Sequence, residues 1–200
     1  MRRKIIRKLS SICSVVLALS GGIPFVAGEA TPWVARGAKG MVAADSKHAS
    51  EAGVEMLRAG GNAVDAAVAT SFALAVTRPY STGLGGGGFM IARFADGRVV
   101  VQDFRETAPA EATASMFIKA AELKPGGPSP SEFGHLAVAV PGLVAGRCQA
   151  LARFGTLRLG RVLGPAIRLA KSGYPVDDDY VRNVRAVLDQ FEAHPSLKES

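Results

Sequence analysis

Residues 62–76 leave a folding chain few options. Ala66, Ala67, Val68, Phe72, Ala73 and Leu74 give almost no polar face at helical spacing. A helix apolar nearly all round belongs inside a structure, and full burial is expected. Its ends are legible as well. Asn62 can cap the first free N–H groups, and Asp65 stands three residues on, where a carboxylate favours the positive helix end. Arg78-Pro79 stops the helix, because the residue before a proline is pushed out of helical geometry. The preceding segment has helical spacing too. Asp45 or Ser46 can cap it, Ala49, Gly53, Met56 and Leu57 share one face, and Gly60-Gly61 ends it. Two buried helices joined by Gly-Gly-Asn suit one layer of a layered α/β domain.

After these helices the period changes. Gly83-Leu84-Gly85-Gly86-Gly87-Gly88 leads into Phe89–Phe94, Ala95-Asp96-Gly97 supplies a turn, and Val99–Phe104 returns. Asp-Gly between two β-rich runs predicts a hairpin. Lys124–Gly134, with three prolines, reads as a surface loop, and His135–Val140 as a short strand closed by Pro141-Gly142. Helices are expected over Leu143–Phe154, over Leu159–Lys171 with Gly173 as cap, and over Asp177–Phe191. No internal repeat or low-complexity segment interrupts this order.

The chain has 200 residues and a formal net charge of +7, which needs dissection. Five of its 24 basic residues, Arg2, Arg3, Lys4, Arg7 and Lys8, precede an apolar stretch from Ile12 to Leu19. Small residues then surround Ala27, Gly28 and Ala30. Basic, apolar and small-residue segments in that order make a secretory signal peptide over residues 1–28, with cleavage after Gly28 or Ala30. The apolar part is too short to span a bilayer. Cleavage leaves 19 basic residues against 17 acidic ones, or 16 when Glu29 is also lost, a net +2 or +3. The basic balance is a targeting signal rather than a nucleic-acid footprint. Export to a periplasmic or extracellular location is expected, with no membrane anchor once the signal is removed. Cys13 lies in the signal, so Cys148 has no partner within the chain for a disulfide. No Cys/His cluster has metal-ligand spacing.

The glycine run resembles a phosphate loop only superficially. It lacks the Gly-Lys-Ser/Thr ending and precedes a strand, so a close backbone approach to another element or a ligand is the better reading. His48, His135 and His194 are far apart and have no paired nucleophile, which makes structural roles the expectation. Arg105 stands at the end of the second hairpin strand, in Asp103-Phe104-Arg105-Glu106-Thr107-Ala108-Pro109. A guanidinium there can present a planar donor pair to a carboxylate. Taken alone, it reads better as a surface arginine paired with Glu106 or Asp103.

That heptapeptide resembles the Arg-Glu-x-Ala-Pro signature of the γ-glutamyltransferase (glutathione hydrolase) family. Three more segments match in order: Gly60–Ala69, Gly83–Met90 and Val140–Gly146. The resemblance runs from about Gly40 to Ser200 and covers the N-terminal, large-subunit part of a precursor. It implies a partial αββα sandwich of the N-terminal-nucleophile hydrolases, an α/β (α+β) fold. It also implies that Arg105 binds the α-carboxylate of a γ-glutamyl substrate, with Glu106 supporting the site. The implied substrates are glutathione and other γ-glutamyl compounds, with amino acids or peptides as acceptors. No cofactor or metal is implied.

The nucleophile of this family is a threonine freed by self-cleavage at the start of a strand, and the resemblance places that strand beyond residue 200. Residues 1–200 are therefore expected to be inactive alone and to pair with a small subunit of the same precursor. Thr82, Thr107 and Thr31 lack the family's context; Thr31 would become N-terminal after cleavage at Ala30, but Pro32-Trp33 is a poor start to a catalytic strand. Two alternatives remain open: a cephalosporin or glutaryl acylase of the same fold, and a non-catalytic fragment.

Overall fold

The computed structural model describes residues 34–188 other than 124 and 128. The expected signal peptide and its cleavage sites, Thr31, His194 and residues 189–191 of the expected last helix lie outside the described residues. The chain divides after Lys39 into two units. Residues 34–39, the described part of the first, carry no helix or strand. The second unit holds all the helices and strands that follow.

Helix α1 spans Lys47–Arg58 and α2 spans Ala63–Thr77. The link between them turns at Gly60, whose φ of 86° suits a residue without a Cβ. Asn62 then starts α2 as expected. Its side chain accepts from the N–H groups of Val64 and Asp65, and the Asp65 carboxylate accepts from the Asn62 N–H at 2.7 Å. This reciprocal arrangement satisfies both ends of the first turn. The cap of α1 differs from the expectation. Ser46 occupies the N-cap without a side-chain hydrogen bond, and Asp45 instead accepts from buried Arg78 at 3.0 Å.

Helix α2 is the centre of the core. Met56 of α1 and Val64, Val68, Ala69 and Phe72 of α2 pack with Ala150 and Leu151 of α5 (Leu143–Phe154) and with Val162 and Ala166 of α6 (Leu159–Ser172). Burial is incomplete, however. Ala67 is exposed and Ser71 only half-buried, because α2 and the hairpin stand apart on that side and leave a cavity.

The hairpin forms as expected. Strand β1, Phe89–Arg93, pairs antiparallel with β2, Val99–Asp103, in a register that sets Phe89 opposite Asp103 and Ile91 opposite Val101. Gly97, at φ 88°, makes the turn, and the Asp96 carboxylate accepts from the Arg98 N–H. Side chains alternate between faces. Met90 packs against the core, and Gln102 is buried and donates to the Gly146 carbonyl and to Gln149. On the other face Phe89, Ile91, Val99 and Val101 are each more than half exposed. A helical layer thus backs one face of a two-stranded sheet, mixed α/β content that is part of an αββα sandwich.

Three differences from the sequence reading concern local structure. Residues 135–140 do not form a strand. His135–Ala137 is a 3₁₀ turn, and only Val140 pairs, in an isolated bridge with Thr107. The next hydrogen-bonded pair of such a ladder would need an N–H from Pro109, which has none. Beyond Arg78 the chain makes one further helical turn, α3 (Pro79–Thr82), with proline in the first turn, where its missing N–H costs nothing. Helix α4, Met116–Leu123, was not expected and buries no residue fully. Helix α7, Asp178–Arg185, starts at a capping Asp177.

Candidate functional site

Arg105 lies just past the end of β2, on a segment held from three sides. On the hairpin side the pairing continues past β1, with Gly88 N–H to Phe104 carbonyl at 3.3 Å and Phe104 N–H to Gly88 carbonyl at 3.0 Å. Beyond Arg105, Thr107 and Val140 exchange both backbone hydrogen bonds. The start of α5 closes the third side, where the Leu143 N–H donates to the Gly86 carbonyl at 3.0 Å.

Three glycines make this approach possible. A Cβ on Gly87 would lie 2.6 Å from Glu106 Oε2 and 2.7 Å from the Glu106 nitrogen. One on Gly142 would collide with the Phe104 carbonyl, and one on Gly146 with the Phe104 ring. The glycine run therefore provides a close backbone approach, as the sequence suggested. Two of the other three motifs, Gly83–Met90 and Val140–Gly146, meet the arginine signature at residues 104–107. The fourth, Gly60–Ala69, lies elsewhere and is structural. There the buried Asp65 accepts from the N–H groups of Asn62, Thr156 and Leu157 and from the Thr156 hydroxyl.

The Arg105 side chain is 62% exposed. Its backbone N–H donates to Asp103 Oδ1 at 2.9 Å, its Nε donates to Glu106 Oε2 at 3.1 Å, and its Cζ stands 5.7 Å from the centroid of the Phe89 ring. The Glu106 pairing expected from the sequence is present. It occupies Nε only, and among the described residues Nη1 and Nη2 make no hydrogen bond. The Glu106 carboxyl is held below its ordinary range, chiefly by its own backbone N–H, against some burial, with the Arg105 hydrogen bond and charge adding to the effect. Glu106 thus stays ionised and orients the guanidinium while leaving its terminal edge open to a second carboxylate.

His48, His135 and Cys148 stand apart from this segment. His48 is half-buried on α1, edge-on to Tyr174 with ring centroids 5.6 Å apart. His135 opens the 3₁₀ turn. Cys148 is free and half-buried. Among the described residues no group of His, Cys, Asp and Glu is arranged to hold a metal. No described helix is long and apolar enough to cross a membrane.

Arg147 was not expected from the sequence. It is 5% exposed on α5, with its Cζ 5.0 Å from the centroid of the Phe72 ring. Its signal lay in the spacing of Leu143, Gly146, Arg147, Ala150 and Leu151, which places a cation on the helix face that enters the core.

The fold resembles that of Helicobacter pylori gamma-glutamyltranspeptidase, with a TM-score of 0.76 and 40% identity over 83% of this chain and 47% of that one. The structure is thus part of an N-terminal-nucleophile hydrolase sandwich. Residues 49–200 match the family model for gamma-glutamyltranspeptidase. The chain belongs to the gamma-glutamyltranspeptidase family. It is 47% identical over 145 residues to the glutathione hydrolase proenzyme of Escherichia coli (strain K12), covering 72% of this chain and 24% of that protein. It is 49% identical over 146 residues to the acylase ACY 1 proenzyme of Pseudomonas sp. (strain SE83), covering 71% and 26%. The chain therefore spans about a quarter of the length of these curated relatives.

Proposed function

We propose that the complete protein cleaves and transfers the γ-glutamyl group of glutathione and related amides, and that Arg105 holds the α-carboxylate of the substrate. The observation that carries this reading is the open terminal edge of Arg105, on a segment fixed by three close glycine approaches and oriented by Glu106. The nucleophile in this reading is an N-terminal threonine outside residues 1–200. Its hydroxyl attacks the γ-glutamyl amide with its own α-amine as base. The resulting acyl-enzyme passes to water or to the amine of an acceptor. The large-subunit segment pairs with the small subunit of the same precursor. The protein is exported through the signal at residues 1–28.

The test is a comparison of substrates in the full-length protein. Arg105→Ala removes charge and fork, whereas Arg105→Lys keeps the charge alone. Loss of a charge-assisted pair to the substrate costs roughly 2–5 kcal/mol, or about 30- to several-thousand-fold in kcat/KM. Self-cleavage should survive, since it needs no substrate carboxylate. On an analogue lacking the α-carboxylate the wild type should already be slow and Arg105→Ala little slower. Equal losses on both substrates would make Arg105 a support of the fold.

Identity to the acylase ACY 1 proenzyme favours one second reading, the cephalosporin or glutaryl acylase of the same fold. Faster turnover of a glutaryl amide, which keeps the terminal carboxylate and lacks only the α-amino group, than of the γ-glutamyl substrate by the wild type would select it.

A further inference from the structure

Behind the hairpin, between α2 and α5, lies a cavity of about 130 Å³. A single water occupies about 10–15 Å³ of such space, so the cavity admits a ligand of several non-hydrogen atoms. Phe89, Met90, Phe104 and Ala67 line its apolar part. Two polar side chains, Ser71 of α2 and Arg147 of α5, also line it, and no acidic residue does.

Arg147 is unusual among the described arginines. Arg78 is as deeply buried, but it donates to Asp45, Asp177 and the Thr77 carbonyl. Arg147 is 95% buried, yet its Nε and Nη1 have no hydrogen-bond partner among the described residues. The Phe72 ring attracts the guanidinium charge through its face but supplies no acceptor for the in-plane N–H groups. Burial lowers the guanidinium to about 10, so it remains charged at neutral pH. A buried, unpaired cation with free donors is strongly unfavourable unless an anion meets it.

We propose that Arg147 and Ser71 form a carboxylate-binding site in this cavity, separate from the Arg105 site. Nε and Nη1 are closed off from the cavity as Arg147 stands, so a carboxylate accepts from them after a small rotation of the side chain brings one edge of the guanidinium to the cavity wall, and the Ser71 hydroxyl can donate to the same group. The aliphatic part of the ligand packs against Met90, Phe104 and Ala67. A single cation and an apolar wall favour a monocarboxylate over a phosphate or sulfate, which would bring a second charge into a site with nothing to balance it. Such a carboxylate comes either from a small monocarboxylic acid in solution or from an acidic side chain elsewhere in the complete protein.

The experiment uses the full-length protein and sodium acetate as probe, at constant ionic strength with sodium chloride as the balancing salt. Thermal midpoint and calorimetric titration are the readouts, for wild type, Arg147→Met, Arg147→Lys and Arg105→Ala. Arg147→Met keeps an apolar chain over Phe72, and Arg105→Ala removes the other candidate carboxylate site. If the ligand comes from solution, acetate raises the midpoint saturably in wild type and in Arg105→Ala. Arg147→Met then weakens acetate binding by about tenfold or more, as expected for a lost charge-assisted hydrogen bond. If the protein supplies the carboxylate, acetate has no effect, Arg147→Met lowers the midpoint and Arg147→Lys largely restores it. The proposal is overturned if acetate has no saturable effect and Arg147→Met is as stable as wild type, or if Arg147→Lys is no better than Arg147→Met. Acetate binding that disappears in Arg105→Ala but persists in Arg147→Met overturns it too.

Discussion

Asp65 shows how far a single side chain can be read from sequence and where that reading stops. The spacing from Asn62 marked it as a helix-start carboxylate, and it makes that bond. Its remaining partners, Thr156 and Leu157, are more than ninety residues away in the chain, and no local pattern announces them. Burial pushes the Asp65 carboxyl up. The Leu157 N–H, the Thr156 hydroxyl and the Asn62 and Thr156 N–H groups outweigh that and hold it below the ordinary 3.8. Asp65→Asn keeps the shape but turns an amide N–H toward donors, and should destabilise the protein by about 3 kcal/mol. The sign of the pH dependence follows from the lowered pKa. Stability from Asp65 is fully present above the unfolded value near 3.8 and is lost as pH falls through the lower folded value. Urea denaturation should therefore show a constant gap between wild type and Asp65→Asn from pH 5 to 8 that narrows below about pH 4. Arg147 is the opposite case. An arginine on a helix reads as solvent-facing by type, and only its place in the apolar spacing pointed inward.

At the scale of elements, α1, α2, the hairpin, α5 and α6 were legible because each pairs a periodic pattern with its own stop signal. The segment 135–140 misled because apolar alternation says nothing about whether a partner strand can donate. Pro109 settles that from outside the segment. Helix α4 is apolar at Met116, Phe117, Ile118, Ala120, Ala121 and Leu123 yet buries none of them fully, and eight residues are too few for a helical period to stand out. The convergence of two glycine motifs on residues 104–107 was not legible as geometry, since each glycine's neighbour is a residue distant in sequence. It leads to a prediction. Gly87→Ala puts a Cβ against Glu106, so residues 105 and 106 must shift. Gly85→Ala, two residues earlier, meets nothing within 4 Å. Both variants should fold. Gly87→Ala should lose about ten- to a hundredfold in kcat/KM on a γ-glutamyl substrate, since small misplacements of a binding group carry costs of that order. Gly85→Ala should stay close to wild type. Steady-state kinetics on the two side by side checks this, and equal activity would show that the segment is not position-critical.

Over the whole molecule, the outward hairpin face carries the clearest sign of what these residues need. Phe89, Ile91, Val99 and Val101 are between 58% and 73% exposed on one side of a two-stranded sheet. Two strands with an apolar face are marginal unless that face is covered. The inner face is backed by α5, with α2 across the cavity from it, but the outer face has no cover among the described residues. In the proposed enzyme the remainder of the precursor lies there, and the same remainder supplies the nucleophile. One preparation tests both consequences. Residues 29–200 expressed alone should bind a hydrophobic dye or self-associate through the hairpin, and Ile91→Lys with Val101→Glu should suppress this by placing opposite charges across the strands. The same preparation should show no turnover of a γ-glutamyl anilide and no self-cleavage, because the covalent route requires a nucleophile it lacks. The full-length protein carrying Ile91→Lys and Val101→Glu should assemble poorly, since both charges would then be buried in an apolar contact. Normal maturation of that full-length variant would show that the outer hairpin face is open to water in the finished enzyme. Turnover by residues 29–200 free of host enzyme would return Thr31, Thr82 or Thr107 to consideration as the nucleophile.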